Sequence, residues 1–211
     1  TENNSTLNRE DEQPYTHIVL NGRGRVPPEL VLAGESGWSA AKKLVGKRDV
    51  QLGDPAFDDA VLVEGPEDVA LASLRQEARP LVAALVREGG SVREGDLHLK
   101  WPRIVADVDL LERSIRSMVE TAKAMAATSI PDALAVAAAT EADAPRRERC
   151  LKALVAHHAA APQTPKALET ALADSSPEVR LVAAANLAPD ARVRGTLEAL
   201  LQDTTLPSPL R

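Results

Sequence analysis

Three aspartates lie close together in the stretch "GDPAFDD", residues 53–59, which also contains the only phenylalanine of the chain. Clustered carboxylates are candidates for binding a divalent cation or for acid-base catalysis. A calcium loop, however, needs oxygen ligands at alternating positions and a bidentate Glu, and glycoside hydrolysis needs two carboxylates that face each other across a cleft. The spacing of Asp54, Asp58 and Asp59 fits neither. Because Gly-Asp-Pro is a turn signal, we predict a turn with Phe57 buried at the entrance of the following strand.

Cys150, His157 and His158 are spaced so that they lie on one helix, and this combination suggests zinc. A structural zinc site needs four ligands in a tetrahedral arrangement, and the sequence has no second cluster of Cys or His. An internal repeat of 29 residues, described below, aligns Cys150 with Val179 and His158 with Leu187, both apolar. We therefore predict a buried Cys and two histidines near a helix C-terminus, where they suit the helix dipole, and no metal.

Two glycine-containing stretches share features with ligand-binding loops. The segment "NGRGR", residues 21–25, follows an expected strand, but prolines come where a phosphate loop needs a helix N-terminus. The segment "GESGWS", residues 34–39, is one residue out of register for a nucleophile elbow, and His17 and His98 are the only histidines in the first half of the chain that could act as its base. We predict turns here, no catalytic residue and no cofactor.

The composition argues against two broad classes of function. The chain has 211 residues and a net charge of -6, and no apolar run reaches the roughly 18 residues that a membrane span needs. Its only basic part, residues 146–211, has nine Lys and Arg against seven Asp and Glu. Because a nucleic-acid binder presents a concentrated basic stripe, we expect no nucleic-acid partner. With a single Cys we expect a cytoplasmic protein; the chain begins without Met, so an upstream membrane anchor stays open.

The composition changes near residues 101–103. All four aromatic residues and 10 of the 11 glycines precede this point, whereas 26 alanines follow Pro102 and 10 precede it. Glycine and aromatic residues suit turns and strands, and alanine suits close-packed helices. We predict a fold of the α+β class: a disordered segment at 1–14, a small mixed α/β domain at 15–102 and an all-helical domain at 103–211.

Within the first domain, apolar spacing predicts a helix over residues 66–90 that kinks at Pro80, and a shorter helix at 39–46. Glu67 and Asp68 stand at the start of the longer helix, where its dipole favours them. Trp38 and Trp101 are interpreted as core or domain-interface residues rather than a ligand groove. The predicted strands lie within residues 16–22, 29–34, 59–65 and 96–101.

The second half consists of predicted helices only, several opened by a proline. They span residues 107–128, 131–143, 145–160, 164–174, 177–188 and 191–203. Residues 167–176 align with 196–205, and 150–158 with 179–187, at a constant offset of 29. A repeat that contains two helices is typical of an α-solenoid.

The stretch from Asp174 to Leu187, which includes "PEVRLVAAANL", resembles a HEAT repeat, because an Asp ends one helix and a Pro opens the next, before a Val-Arg pair and small residues. The resemblance is good over residues 162–190 and fair over 146–203. At the offset of 29, Leu151 stands where Arg180 stands in the next unit, so the Asp–Arg ladder of HEAT arrays is expected to be incomplete. The last unit stops inside an expected helix, which favours truncation over a lone capping helix.

A second resemblance concerns the first domain. The segment "GDPAFDDAVLVEG", residues 53–65, resembles a Gly-Asp-Pro-x-Phe-Asp signature of uncharacterised bacterial domains, some of them attached to upstream membrane segments. The resemblance covers about residues 29–100. It implies no known catalytic residues.

The HEAT-like resemblance implies a non-catalytic scaffold that presents stacked helices to an unknown protein partner. The candidate contacts are Arg146, Arg147, Arg180, Arg192 and Arg194. Alternatively, each arginine is simply exposed to solvent on the outside of the helical array and contacts no partner. HEAT-like repeats also occur in bilin lyases and DNA glycosylases; the helical half lacks an aromatic residue to stack on a flipped base and a convincing acid-base pair. A lyase, and a membrane-tethered sensor whose α+β domain binds a small ligand, remain alternatives.

Overall fold

A computed structural model of the chain describes residues 14–34, 50–127, 129–187 and 191–202. It contains an N-terminal antiparallel sheet of five strands, after which the chain is mainly helical. The α+β class predicted from the composition is therefore confirmed. The predicted disordered segment up to residue 13, the predicted helix at 39–46 and Trp38 lie outside the described residues.

The strands are β1 (Thr16–Asn21), β2 (Val31–Ala33), β3 (Leu62–Glu64), β4 (Gly90–Arg93) and β5 (Asp96–Trp101). Their order in the sheet is β1-β5-β4-β2-β3, and every neighbouring pair is antiparallel. Four of them fall within predicted stretches, whereas β4 was missed. The two-residue turn Glu94-Gly95, with φ of 54° and 80°, is typical of a tight β-hairpin and pairs Arg93 with Asp96.

The two faces of the sheet differ, since successive side chains of a strand point to opposite sides. One face is apolar and fully buried, and it includes Leu32, Val63, Val92, Leu97 and Leu99. The strand register places a second set of side chains, among them His17, Ser91 and His98, on the opposite face. This second face is called the outer face below.

The helices are α1 (Pro55–Asp58), α2 (Glu67–Ser73), α3 (Arg79–Arg87), α4 (Val108–Met125), α5 (Ile130–Thr140), α6 (Ala144–His157), α7 (Gln163–Ala171), α8 (Pro177–Asn186) and α9 (Ala191–Gln202). Side-chain caps explain several starts: Asp107, Ser129 and Ser176 accept hydrogen bonds from the first turns of α4, α5 and α8. Such caps satisfy N–H groups that have no partner inside the helix.

The kinked helix predicted over residues 66–90 is wrong, because the structure has two helices there, α2 and α3. Leu74, with φ -100° and ψ 52°, ends α2. Pro80 lies in the first turn of α3, where a missing N–H costs no helical hydrogen bond. The proline thus helps to start a new helix instead of bending an existing one.

Helices two apart in the chain pack on each other: α5 contacts α7, and α6 contacts α8. The pair α5 and α6 also contacts α2, and α3 contacts α4. One cluster of buried apolar side chains accordingly runs from Val26 to Ala183 and crosses the predicted domain boundary at residues 101–103. Among the described helices, none is both long and apolar enough to cross a bilayer.

Candidate functional site

The structure corrects the assignment of Arg146 to a partner-binding surface, since this residue is 0% exposed. Its guanidinium donates to the carbonyl oxygens of Leu52 (3.2 Å), Leu71 (3.5 Å) and Leu74, and its Nε lies 3.0 Å from Oε1 of Glu141. The last carbonyls of a helix lack partners within the helix. Arg146 on α6 therefore donates hydrogen bonds to the C-terminal end of α2. In this way it joins the two halves of the chain.

Glu141, at the end of α5, is only 5% exposed and lies between two guanidinium groups. Its second oxygen is 3.3 Å from Nη2 of Arg79, and Nε of Arg79 is 3.0 Å from Oδ2 of Asp54. Asp54, Arg79, Glu141 and Arg146 form what we call the junction cluster. Its two positive and two negative charges balance, as the burial of Glu141 and Arg146 requires, while Asp54 and Arg79 are partly exposed.

The stretch "GDPAFDD" forms the predicted turn, with Phe57 buried. Oδ1 of Asp54 accepts a hydrogen bond of 3.2 Å from the backbone N–H of Phe57, which caps α1. Asp58 accepts hydrogen bonds from the N–H groups of Leu52 (2.8 Å) and Gly53 (2.9 Å). Both carboxylates thus fix the backbone of the loop around residues 52–58. Asp54, which is also part of the junction cluster, connects this loop to the cluster.

Arg147 is also buried, at 8% exposure, which corrects its assignment as a surface contact. Its Nε and Nη2 each lie 2.8 Å from an oxygen of Asp174, in a bidentate ion pair. Hydrogen bonding to Asp174 raises the pKa of Arg147, and the same bond lowers the pKa of Asp174. The pair joins α6 to the turn between α7 and α8.

Arg180 repeats part of this arrangement in the next helix pair. Its Nη1 donates to the carbonyl oxygens of Asp174 (2.8 Å) and Ser175 (3.0 Å). In the same way, Nη1 of Arg147 donates to the carbonyl oxygens of Glu141 (2.9 Å) and Ala142 (3.0 Å). Arg147 and Arg180 are therefore equivalent, 33 positions apart.

This equivalence corrects the alignment that placed Leu151 opposite Arg180. The offset of 29 nevertheless fits α7 and α9. Thr164 and Ala171 are buried in α7, and Val193 and Leu200, 29 positions later, are buried in α9. The offset between equivalent positions is thus 33 for α6 and α8 and 29 for α7 and α9.

Of the five predicted contacts, only Arg192 and Arg194 on α9 are exposed; Arg180 is half-buried. The side chain of Arg192 is 63% exposed, and its Nη2 lies 3.7 Å from Oε1 of Glu169. These two arginines are the predicted contacts that a partner can reach.

The Cys and His residues of the possible zinc site have separate structural roles. Cys150 is buried, and burial raises its pKa to about 12. Nε2 of His158 is 3.0 Å from Oδ2 of Asp68, and Nη2 of Arg149 is 2.8 Å from Oε1 of Glu67, so the acidic pair at the start of α2 binds α6. Within the described ranges, no group of three or more His, Cys, Asp or Glu is arranged to hold a metal ion.

Of the two glycine-containing stretches, the structure describes the first in full and only Gly34 of the second. In "NGRGR", the N–H of Arg25 donates to the carbonyl oxygen of Gly22 (2.9 Å), and Oδ1 of Asn21 accepts from the N–H of Arg23 (3.0 Å), which confirms a turn. In "GESGWS", residues 35–39 lie outside the described part of the chain. Trp101 is partly buried and packs on the core.

A cleft of about 720 Å³ lies on the outer face of the sheet. Its floor includes the small or apolar residues Val31, Ala33 and Ser91, and its polar lining includes His17, Glu64, Arg93, His98 and Lys100. Small side chains at the centre of a strand face leave a depression between the larger ones. Clefts of this size are typical of small-molecule sites.

The histidines of this cleft contact each other. Nε2 of His17 lies 3.2 Å from Nδ1 of His98, and the two rings are stacked with centroids 5.4 Å apart. Burial, followed by the charges of Arg93 and His17, lowers the pKa of His98. His98 is therefore mainly neutral near pH 7, so one of its ring nitrogens donates a hydrogen bond and the other accepts one.

The sequence carries only a weak signal for this cleft. His17 and His98 each occupy alternating polar positions in their strands, but they are 81 positions apart. The pairing of β1 with β5 across the sheet brings them together, and long-range strand order does not follow from alternation alone.

None of the protein-family models, curated proteins or solved structures matches the chain significantly.

Proposed function

We propose that the chain is a non-catalytic protein-binding scaffold built on HEAT-like repeats. The observation that carries this proposal is the bidentate pair Arg147–Asp174, which links successive helix pairs at 2.8 Å. The stacking of α5 on α7 and of α6 on α8 supports the same organisation. In solenoids each unit buries its apolar face against its neighbour and leaves an extended surface for a partner.

The environment of the reactive groups supports a role without catalysis. Asp54 and Asp58 bind backbone N–H groups, and Glu141 binds two arginines. The thiol of Cys150 is buried with a pKa of about 12, whereas a catalytic thiol needs a lowered pKa and access. These side chains hold the fold together and are not poised for chemistry.

The surface proposed for the partner is the exposed part of α9, on both sides of the buried residues Val193 and Leu200. Arg194 lies on one side together with Leu201, which is 64% exposed and lies seven positions later, and Arg192 lies on the other side. Residues seven apart share one side of a helix. Arginines beside an exposed apolar residue are typical of protein interfaces, and the two positive charges favour an acidic partner segment.

The test is affinity capture with the chain and two charge-reversal variants. Arg192→Glu with Arg194→Glu changes the proposed surface, and Arg113→Glu with Arg116→Glu makes the same charge change at exposed positions of α4. We expect a stoichiometric protein that the wild type and the α4 variant retain and the α9 variant loses. Circular dichroism melts of all three check that the fold is kept.

Two results would contradict the proposal. One is equal retention of every captured protein by the wild type and the α9 variant, which would exclude this surface. The other is turnover of a substrate by the purified chain that is lost on Glu141→Gln or Cys150→Ala, which would show a catalytic role.

A further inference from the structure

Strand β1 is one edge of the sheet, and the direction of its backbone groups follows from the β4–β5 hairpin. The residues that flank a two-residue hairpin turn form a hydrogen-bonded pair, here Arg93 and Asp96. Because this direction alternates along an antiparallel strand, Leu97 bonds towards β1, where its partner is Leu20. The N–H of Gly22, two positions after Leu20, also points towards β5 and donates to Oδ1 of Asp96 at 3.2 Å.

The backbone groups of His17, Val19 and Asn21 consequently point away from the sheet. All three residues are exposed, and no backbone group of the described residues bonds to these outward N–H and C=O groups. At the opposite edge, the three-residue strand β3 has only Val63 directed outward, and its C=O accepts from the N–H of Val50 at 2.7 Å. Within the part of the chain that the structure describes, β1 is thus the open edge of the sheet.

The open edge lacks the features that normally prevent pairing with another strand. Exposed edge strands are usually protected by charged residues, proline or a bulge. The strand β1, "THIVLN", contains no Asp, Glu, Lys, Arg or Pro. Its pairing with β5 is continuous over all six residues, without a bulge. Such an edge is suited to bind a further strand.

Exposed apolar side chains lie at the same edge. Val19 is 49% exposed, Tyr15 is 56% exposed and Ile104 is 69% exposed. The N–H of Val105 donates to Oγ1 of Thr16 at 2.8 Å, which places Ile104 beside the start of β1. Exposed apolar residues around an open strand edge indicate a protein-binding surface.

The sequence of β1 is complementary to itself when two copies run antiparallel about Val19. In this register Val19 lies opposite Val19 of the second copy, and His17 lies opposite Asn21. The three resulting pairs exchange two hydrogen bonds each. On the inner face Ile18 lies opposite Leu20, and both are only half-buried in a single chain. A register centred on Ile18 would instead place His17 opposite Val19 and leave Asn21 without a partner in β1.

We propose that β1 joins two copies of this chain in a two-fold dimer, with the β1 strands antiparallel and Val19 on the two-fold axis. The two five-stranded sheets then form one continuous sheet. A two-fold contact uses the same edge of both copies and is closed, and the short, bonded β3 edge does not extend it into a fibre. The proposal concerns the sheet edge alone and does not depend on the partner surface of α9.

Sedimentation equilibrium of the full chain tests the proposal at about 1–300 µM, the range in which small interfaces dissociate. We expect the mass of the wild type to rise from 22.4 kDa to twice that value. Val19→Lys places two ammonium groups opposite each other and should weaken the dimer about tenfold or more. Val136→Lys is the matched control, because Val136 on α5 is 57% exposed, and it should dimerise as the wild type does. Circular dichroism melts check that every variant is folded.

A mixing experiment tests the register. Val19→Glu should also be monomeric alone, whereas an equimolar mixture of Val19→Lys and Val19→Glu should dimerise, because opposite charges then face each other on the axis. Failure of this mixture to dimerise would exclude the pairing centred on Val19.

Two further results would overturn the proposal. One is a wild-type chain that stays monomeric at the highest concentration, whether its edge stays open or another segment covers it; this result does not require any variant to fold. The other is a dimer that Val19→Lys leaves as stable as Val136→Lys does, which would place the interface elsewhere.

Discussion

Arg147 and Asp174 form a bidentate ion pair in which both N–O distances are 2.8 Å. The same guanidinium also binds the carbonyl oxygens of Glu141 and Ala142, at the end of the preceding unit. One side chain thus fixes the turn before its own helix and the turn of the next unit. Arg180 repeats the first of these two functions.

We expect the ion pair of Arg147 and Asp174 to contribute more to the free energy of unfolding than an ordinary surface pair does, because both side chains are nearly buried, at 10% and 11% exposure. A double-mutant cycle with Arg147→Met and Asp174→Asn, measured by urea unfolding, should give a coupling energy of about 1–3 kcal/mol. The control cycle uses Glu120 and Lys123, which pair at 2.9 Å but are more than half exposed, and should give less than about 0.5 kcal/mol. Equal coupling in the two cycles would contradict the structural role of the buried pair.

The Asp174 carboxylate also makes stability depend on pH. Hydrogen bonding to Arg147 lowers its pKa below the ordinary value of 3.8, so the unfolded state binds its proton at a higher pH than the folded state does. The stabilisation is complete above that ordinary value and is lost as the pH falls through the lowered pKa of the folded state. Urea unfolding at several acid pH values should show a steeper loss for the wild type than for Asp174→Asn; identical slopes would exclude this linkage.

Removal of Arg146 should be strongly destabilising. Arg146→Met leaves the buried Glu141 with Arg79 alone and leaves the carbonyl oxygens of Leu71 and Leu74 without their donor. We expect the free energy of unfolding to fall by about 3–5 kcal/mol. Arg149→Met, on the same helix but with a side chain that is 32% exposed, should lose less than about 1 kcal/mol. A loss for Arg146→Met as small as for the control would show that the junction cluster does not hold the two halves together.

The α+β class followed from the sequence because it depends on composition and local periodicity. The roles of Arg146 and Arg147 did not, since arginines are mostly exposed and nothing in their own helix indicates a buried acid. Glu141 and Asp174, their partners, lie in turns of neighbouring units. Burial of an ion pair is a tertiary property, and periodicity along one helix carries no information about it.

The alignment error at Leu151 has a related cause. Matching residue types along the sequence favoured a single offset of 29. The hydrogen bonds of Arg147 and Arg180, however, give an offset of 33 between α6 and α8. α6 has 14 residues and α8 has 10, so one constant offset cannot align both their starts and their ends. The position of a turn is set by capping and packing, which a comparison of letters detects only in part.

Cys150 should behave as an inert core residue in the folded protein. Burial raises its pKa to about 12, and only the thiolate reacts rapidly with alkylating agents. At pH 8 we therefore expect iodoacetamide to leave the native chain unmodified and to label it rapidly in urea, as followed by intact mass. Ala156→Cys in a Cys150→Ala background is the matched control, because position 156 is exposed on the same helix, and it should react without urea. Native labelling of Cys150 as fast as that of the control would show that α6 opens readily and that its packing against α2 and α8 does not protect the thiol.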